Sequence, residues 1–424
     1  MTLGISITVA FLVLMAAGLP VFVAMGVAGF AGFVLAKDLA GAMFGFTDTV
    51  WQATHVYELI AIPLFILTGT IMQFSGAGRD LFVVVNAFAG QVRNATGIAT
   101  IVACGIFAAI CGSSIATAAT VGLVAIPALK NDGYGDARAG GFVAAGGTLG
   151  ILIPPSIPMI LYGIITDTSI GQLFIAGVIP GLLMMTLFAI YAWRSGPGVF
   201  APPHSAESRW VLLRRSIGVL LLPPVIIGAI YMGFFTPTEV GALAVLYVLA
   251  LGLAQQRLTG GTIWQAVLAA TRTTVMLLML IVFGQYFAHF LTYEEVPQTI
   301  AGTIAGMPGG DFLKITLVIL AYLVLGMFLE SAAMLLISVP IFFPVAMALG
   351  MDPLVFGIFA VMAMEIAQIS PPVGINLFTI HGISRIPLQT LARGVLPFIG
   401  IQILFLYLVF YFPQIVLWLP GQMR

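Results

Sequence analysis

Residues 365–378 of the chain read EIAQISPPVGINLF and place two adjacent prolines inside an apolar run. A second pair occurs in GILIPPSIPMI, residues 150–160. Proline has no backbone N–H, and its ring clashes with the carbonyl four residues earlier, so each pair should interrupt a helix. The sequence therefore predicts two broken helices in strongly apolar surroundings.

The composition is typical of a chain embedded in a lipid bilayer. Of its 424 residues, 61% are hydrophobic and 7% are charged, and the mean hydropathy is +1.15. A soluble domain carries about 25% charged residues. Charge-free stretches long enough to cross ~30 Å of hydrocarbon occur at 59–78, 139–166, 168–193, 216–238, 273–293 and 394–423. We therefore predict an all-α polytopic membrane protein.

The two proline pairs are 217 residues apart, and the same offset aligns other prolines. These further pairs are Pro20 with Pro237, Pro127 with Pro344 and Pro180 with Pro397. Composition alone predicts ~0.7 proline matches at one offset, whereas five are found, which indicates an internal duplication. We expect a first repeat at 1–207 and a second at 216–424, with a connecting loop at 194–215.

Charged residues give each half an orientation. Arg194, Arg209, Arg214 and Arg215 mark the connecting loop as cytoplasmic, because basic residues are enriched on that side. Counting spans outward from this loop places equivalent positions of the two halves on opposite sides of the membrane, with the N-terminus outside. The halves are thus predicted to be inverted repeats, an arrangement typical of secondary transporters.

Two stretches are too long for one span and have ends that fall on the same side. Residues 94–129 carry no charge, and residues 315–351 carry only Glu330. We predict that each forms a re-entrant helical hairpin with a polar tip, at Gly112-Ser113-Ser114 and at Glu330-Ser331. The broken helices follow them at 139–166 and 353–384. Irregular backbone at this depth is tolerated where it is buried in protein or lines a wet cavity.

The tips and breaks are the candidate binding sites, because a broken helix exposes carbonyls on one half and amides on the other. The predicted Na⁺ ligands are Gly112, Ser113, Ser114, Thr148, Gly150 and Pro154 in the first half, and Ser331, Gln368, Ser370, Pro372, Val373 and Gly374 in the second. The predicted substrate contacts are Ser113, Ser114, Thr117, Pro155, Glu330, Ser331 and Asn376. Glu330 and Glu365 could each be a neutral acid, a proton carrier or the partner of a distant arginine.

The sequence was also checked for features of proteins other than transporters. Small residues often serve helix packing alone, but here tip and break recur together at one offset. GYGD at 133–136 matches a string of intramembrane aspartyl proteases, yet it lies in a polar turn without a partner aspartate. Zero net charge without a basic run argues against nucleic-acid binding, and no Gly-Lys pair forms a P-loop. Neither an enzyme nor an organic cofactor is predicted.

Four segments together resemble the large membrane subunit of tripartite ATP-independent periplasmic (TRAP) transporters. They are GSSIATAATVG, GGTLGILIPPSIPMILYG, FFTPTEVGALAVLY and EIAQISPPVGINLF, in the order of the family and along the whole chain. The resemblance implies a subunit in a bacterial or archaeal inner membrane, built on the ion-transporter-superfamily plan. It also implies Na⁺-coupled import of a carboxylate-bearing solute by an elevator movement.

The resemblance further implies two protein partners, a small four-helix membrane subunit on a separate polypeptide and a soluble periplasmic substrate-binding protein. The family's cation sites carry over to Ser113, Ser114, Thr148 and the Pro154 region, and to Ser331, Ser370, Pro372 and Gly374. C4-dicarboxylates, sugar acids, sialic acids and keto acids all stay open as substrates. A self-sufficient carboxylate or ion transporter of the same fold is the alternative function, and an intramembrane protease is a remote one.

Overall fold

The computed structural model describes residues 2–90, 92–200 and 207–423, which form α-helices joined by short turns and contain no β-strand. The first ten helices are α1 (Thr2–Ala16), α2 (Val21–Ala36), α3 (Leu39–Thr54), α4 (Ala61–Phe74), α5 (Ala77–Ala89), α6 (Ala95–Cys111), α7 (Ser114–Asn131), α8 (Asp136–Leu152), α9 (Ile157–Thr166) and α10 (Ile170–Ser195). The next ten are α11 (Arg209–Tyr231), α12 (Pro237–Ala254), α13 (Gly260–Tyr293), α14 (Val296–Gly306), α15 (Asp311–Gly326), α16 (Ser331–Ala348), α17 (Pro353–Ile369), α18 (Ile375–Ser384), α19 (Leu388–Tyr411) and α20 (Gln414–Leu417).

Nine helical segments of the described chain are long and apolar enough to cross a membrane. Large apolar side chains point away from the protein on several of them; Leu246 of α12 is 64% exposed and Leu404 of α19 is 71% exposed. Such surfaces suit lipid, which removes the need to bury them in protein. The prediction of an all-α polytopic membrane protein is confirmed.

Both proline pairs interrupt helices. Helix α8 ends at Leu152 and α9 begins at Ile157, while α17 ends at Ile369 and α18 begins at Ile375. Each interruption contains the two prolines, whose missing N–H groups cannot continue the helical hydrogen bonds. The Pro154-Pro155 and Pro371-Pro372 peptide bonds are cis.

A close pair of helices precedes each broken helix. In the first half, α6 and α7 are joined by Gly112 and Ser113, and the positive φ of Gly112 (60°) suits glycine at this turn. In the second half, residues 327–330 join α15 to α16. These helix pairs correspond to the segments 94–129 and 315–351. Their entry from opposite membrane faces, and the division into repeats at 1–207 and 216–424, stay predictions.

The connecting segment is shorter than the predicted loop at 194–215. Helix α10 continues to Ser195, and α11 already begins at Arg209, so Arg214 and Arg215 lie on a helix. Residues 201–206 of this segment lie outside the described residues. Arginine side chains at a helix end can reach the membrane surface along their apolar stems, so basic residues mark a membrane boundary without requiring a loop.

Helix α8 is the centre of the packing around the first break. It contacts α6, α7, α17 and α19, and every residue from Ala139 to Leu152 is buried. A second group of helices consists of α2 and α3 with α13, and α4 with α12 and α13. Helix α8 meets α19 through glycines, because a methyl group added at Gly394 would overlap the carbonyl oxygen of Ala137. Small residues allow helix backbones to approach closely in membranes.

Replacing Gly394 by alanine should force α8 and α19 apart. We expect Gly394→Ala to lower the free energy of unfolding by about 1–3 kcal/mol, the usual cost of overpacking. The matched control is Gly400→Ala, which lies six residues later on the same helix, where an added methyl meets open space. Unfolding curves of the purified proteins measure both changes. Equal effects of the two substitutions would contradict the inferred contact.

Candidate functional site

A cavity of about 400 Å³ lies where the two predicted tips meet. Ser113 and Ser114 line it from the first tip, Glu330 and Ser331 from the second, and Gln368 from α17. The opposite wall comes from helices of the second packing group and consists of Ile66, Gly69, Thr70 and Gln73 of α4 and Ala269, Thr273, Met276 and Leu277 of α13. The volume falls in the range of small-molecule sites, roughly 300–1,000 Å³.

The tip and the break of the first half are in backbone contact. A Cβ atom on Gly150 would lie 2.7 Å from the carbonyl oxygen of Ser113, and one on Gly112 would lie 2.6 Å from that of Pro155. Glycine at both positions is therefore required for the tip to seat against the broken helix. The result is a small region rich in carbonyl oxygens, which are the ligands that hard cations prefer.

In the break of the second half, the backbone at Gly374 lies close to carbonyl groups of the preceding residues. Gly374 has a φ of 54°, and its Cβ position lies 3.1 Å from the carbonyl oxygens of both Gln368 and Ser370. The Ser370 hydroxyl donates to the carbonyl of Ile366 at 2.7 Å. Both polar atoms of the buried Gln368 side chain have no hydrogen-bond partner. Converging carbonyls beside an unpartnered amide fit a Na⁺ ion.

Asn376 joins the two halves. Its Nδ2 donates to Ser114 Oγ at 2.5 Å and lies 3.4 Å from the carbonyl oxygen of Ala144, and its side chain is fully buried. The sequence placed Asn376 with the second tip, whereas the structure places it behind the first. Because Ser114 Oγ accepts this hydrogen bond, its own O–H can donate toward the cavity.

The predicted residues therefore separate into two groups. Those on the cavity wall are Gly112, Ser113, Ser114, Glu330, Ser331 and Gln368. The others do not line the cavity; they are Thr117, Thr148, Gly150, Pro154, Pro155, Ser370, Pro372, Val373, Gly374 and Asn376, and Pro372 is exposed. Thr117 is fully buried, and its hydroxyl donates to the carbonyl of Ser113 at 2.8 Å, so it supports the tip from within the protein.

The electrostatics of the cavity come mainly from helix ends. Of the described residues that line it, Glu330 is the single charged one. Helices α7 and α16 begin at Ser114 and Ser331, so their positive ends lie at the cavity. The first end has the neutral N-cap Ser113, whose Oγ accepts from the Ala116 N–H at 3.4 Å, while the second has the acidic N-cap Glu330. An anionic group is thus favoured at the first tip.

Sequence reasoning missed the wall that faces the tips. Thr70 and Gln73 of α4 and Thr273 of α13 are polar residues on otherwise apolar helices, and they reach the cavity. Their polarity within apolar segments was the available signal. The GYGD motif lies at a turn, as expected: Asp136 begins α8 and forms an ion pair with Lys130 at 2.8 Å, away from the cavity.

Comparison with known proteins identifies the family to which the chain belongs. The family model for the DctM component of tripartite ATP-independent periplasmic transporters matches residues 8–415. The C4-dicarboxylate TRAP transporter large permease protein DctM of Pseudomonas aeruginosa is 40% identical over 88% of each chain. The sialic acid permease SiaM of Vibrio cholerae is 34% identical over 86% of each, and the ectoine permease TeaC of Halomonas elongata 32% over 95% of each.

A solved structure shows the same fold. The YdaH transporter of Alcanivorax borkumensis superposes with a TM-score of 0.61 at 16% identity, covering 90% of this chain and 91% of that one. The family model matches most of the sequence, and the alignments include 86–95% of the length of each relative. The chain belongs to the DctM family of tripartite ATP-independent periplasmic transporters, membrane-embedded permeases that are not enzymes.

Proposed function

We propose that this chain is the transport subunit of a Na⁺-coupled importer of a carboxylate-bearing organic solute, supplied by a periplasmic substrate-binding protein. The observation that carries the proposal is that both polar tips and Gln368 line one shared cavity. A substrate site built from the two halves, with carbonyl-rich breaks directly behind it, supports coupled binding of a solute and cations.

The chemistry of the first tip supports a carboxylate as the group that is recognised. Helix α7 begins at Ser114, which lines the cavity, and the N-cap at this positive end is the neutral Ser113. The related permeases are named for C4-dicarboxylate, sialic acid and ectoine. A carboxylate bound at the first tip, with the rest of the solute toward Gln73 and Thr273, accommodates this range.

Na⁺ fits the breaks better than a divalent cation does. Within the described residues no group of three His, Cys, Asp or Glu side chains could hold a metal ion. The oxygens at both breaks are backbone carbonyls, hydroxyls and an amide, which solvate a monovalent ion without adding several buried charges. Na⁺ would bind near Ser113, Gly150 and Pro154 in one half and near Gln368, Ser370 and Gly374 in the other.

An elevator movement agrees with the position of the cavity. One wall consists of α4 and α13, and the other of the tips and α17. The cavity therefore follows the boundary between two packing groups, and sliding of one group along the other would carry a bound solute across the membrane. Short amphipathic helices, α5 and α14, lead from one group to the other. In this proposal they act as the arms.

A small four-helix membrane subunit completes the proposed transporter. Reconstitution tests the requirement for both partners: solute uptake into vesicles is measured with the chain alone, with the small subunit, and with the binding protein added, each with and without a Na⁺ gradient. We expect uptake only in the complete system with Na⁺. Uptake by the chain alone would favour the self-sufficient transporter, and uptake that ignores Na⁺ would overturn the proposed coupling.

The two tip serines should contribute separately to Na⁺ dependence. We expect Ser114→Ala and Ser331→Ala to raise the Na⁺ concentration for half-maximal uptake by about two- to tenfold, which is the effect of losing one hydrogen bond or polar ligand. Membrane insertion should be unchanged, because each change removes one hydroxyl oxygen and Asn376 Nδ2 keeps the carbonyl of Ala144 as an acceptor. Na⁺ activation curves in proteoliposomes measure the effect. Curves equal to wild type for both variants would count against the assignment.

The contact between Gly150 and the first tip gives a further test. Gly150→Ala would push the backbone of Ser113 away, since the added methyl lies 2.7–2.8 Å from its carbonyl atoms. We expect uptake to fall by about tenfold or more, because small displacements of binding groups have large effects. Gly382→Ala, where the methyl meets open space, is the control and should transport normally. Normal uptake by Gly150→Ala would show that the contact is not required.

A further inference from the structure

A buried polar cluster lies behind the cavity wall, where α8, α17 and α19 meet. It consists of Thr148, Glu365 and Gln402, and each of the three side chains is 0% exposed. Gln402 Nε2 is 3.2 Å from Thr148 Oγ1 and 3.4 Å from Glu365 Oε2, and donates to both. The amide of α19 therefore bridges a hydroxyl of the first broken helix and a carboxyl of the second.

The cluster has more acceptors than donors. Glu365 Oε1 and Gln402 Oε1 are buried without a hydrogen-bond partner. Among the residues that the structure describes, no lysine, arginine or histidine pairs with Glu365. A buried carboxylate without a counter-charge is strongly unfavourable, so a positive species belongs at this position.

We propose that Glu365, Gln402 and Thr148 form a Na⁺ site in addition to those at the two breaks; this inference rests on the proposed Na⁺ coupling. Rotation of the Gln402 amide by half a turn exchanges Nε2 and Oε1. The amide oxygen then takes the present place of the nitrogen, so three oxygens from three helices face one another. In the structure the NH₂ group occupies this place and bridges the other two oxygens.

Two spacings within the cluster match those around a small cation. Oxygens about 2.4 Å from one ion, as for Ca²⁺, which is close to Na⁺ in radius, lie about 3.4 Å apart when they subtend a right angle. The amide is 3.2 Å and 3.4 Å from its two neighbours. One carboxylate balances one monovalent charge, so the occupied site is neutral overall and suits an apolar interior.

Na⁺ contacts more of the cluster than a proton does. A proton on Glu365 Oε1 turns that atom into a donor that can serve Gln402 Oε1, but it adds no contact with Thr148. A coordinated cation interacts with oxygens of all three side chains at once. Thr148 and Glu365 are also exactly 217 residues apart, so the offset that aligns the Pro-Pro pairs aligns these two positions. Each lies one helical turn before its break, and an ion between them would connect both broken helices to α19.

The site is tested by Na⁺ binding to the purified full-length chain in lipid nanodiscs, titrated calorimetrically at fixed pH. We expect Glu365→Gln to weaken binding at this site by at least about tenfold, since even loss of a supporting group outside the ligand shell has an effect of that size. Gln402→Met removes the amide oxygen at similar volume, keeps the carboxyl group and should also weaken binding. Glu58→Gln, a change at an exposed carboxyl, is the control and should bind as wild type does.

Two results would overturn the site. One is unchanged Na⁺ stoichiometry and affinity in both cluster variants while wild type binds Na⁺, which leaves the sites at the breaks intact. The other comes from infrared spectroscopy in saturating Na⁺: a neutral carboxylic acid band that disappears in Glu365→Gln would mean that a proton occupies the cluster. Absence of Na⁺ binding by wild-type protein would instead remove the coupling on which both proposals rest.

Discussion

Unpaired backbone groups in an apolar environment are the constraint on which this structure depends. The Pro-Pro pairs free carbonyl and amide groups in the middle of two apolar segments, and lipid offers them no hydrogen bonds. The protein covers them locally where it can. Ser156 Oγ donates to the carbonyl of Ile151 at 2.5 Å, and Ser370 Oγ donates to that of Ile366 at 2.7 Å. The remaining groups need another part of the chain to shield them from lipid.

The hairpin tips provide this shielding, which explains why tip and break occur together. In the first half the tip approaches so closely that only glycine fits at positions 112 and 150. In the second half α15 packs on α17 near the tip through Gly326, whose added methyl would overlap Ala367. Where two irregular segments meet, side chains cannot fill all the space, and a cavity remains with polar groups at the tips. The same contact between tip and break therefore shields the backbone groups and forms the cavity.

The sequence predicted those features that have a local cause. Missing N–H groups at Pro154 and Pro371 predicted the breaks, and polar residues in the middle of long apolar stretches predicted the tips. The ends of α8 and α17 follow from the prolines within a few residues. The start of α11 was misjudged, because Arg214 and Arg215 were assigned to a loop whereas α11 already includes them. The division into inverted repeats remains a prediction from the offset and the charges.

Contacts between the two halves of the chain have no local cause in the sequence that could predict them. Asn376 meets Ser114 across 262 residues, and Gln402 meets Thr148 across 254. Neither pair is related by the 217-residue offset, so the repeat could not reveal them. The wall formed by Thr70, Gln73 and Thr273 was missed for a related reason, since isolated polar residues on apolar helices do not indicate which face they occupy. Only the packing of the two groups brings them to the tips.

The two halves share the arrangement of tip and broken helix but differ in the charge of the residues there. The 217-residue offset aligns Ser113 with Glu330 and Thr148 with Glu365, so both intramembrane acids belong to the second half. An ionised Glu330 or Glu365 would attract a cation, whereas the positive end of α7, whose N-cap Ser113 is neutral, favours an anion. A duplicated skeleton with unequal charge can thus hold a solute carboxylate and its coupling cations close together without placing both on the same tip. In the proposed transporter, this asymmetry lets one cavity, lined by both halves, bind a solute carboxylate while cations bind beside it.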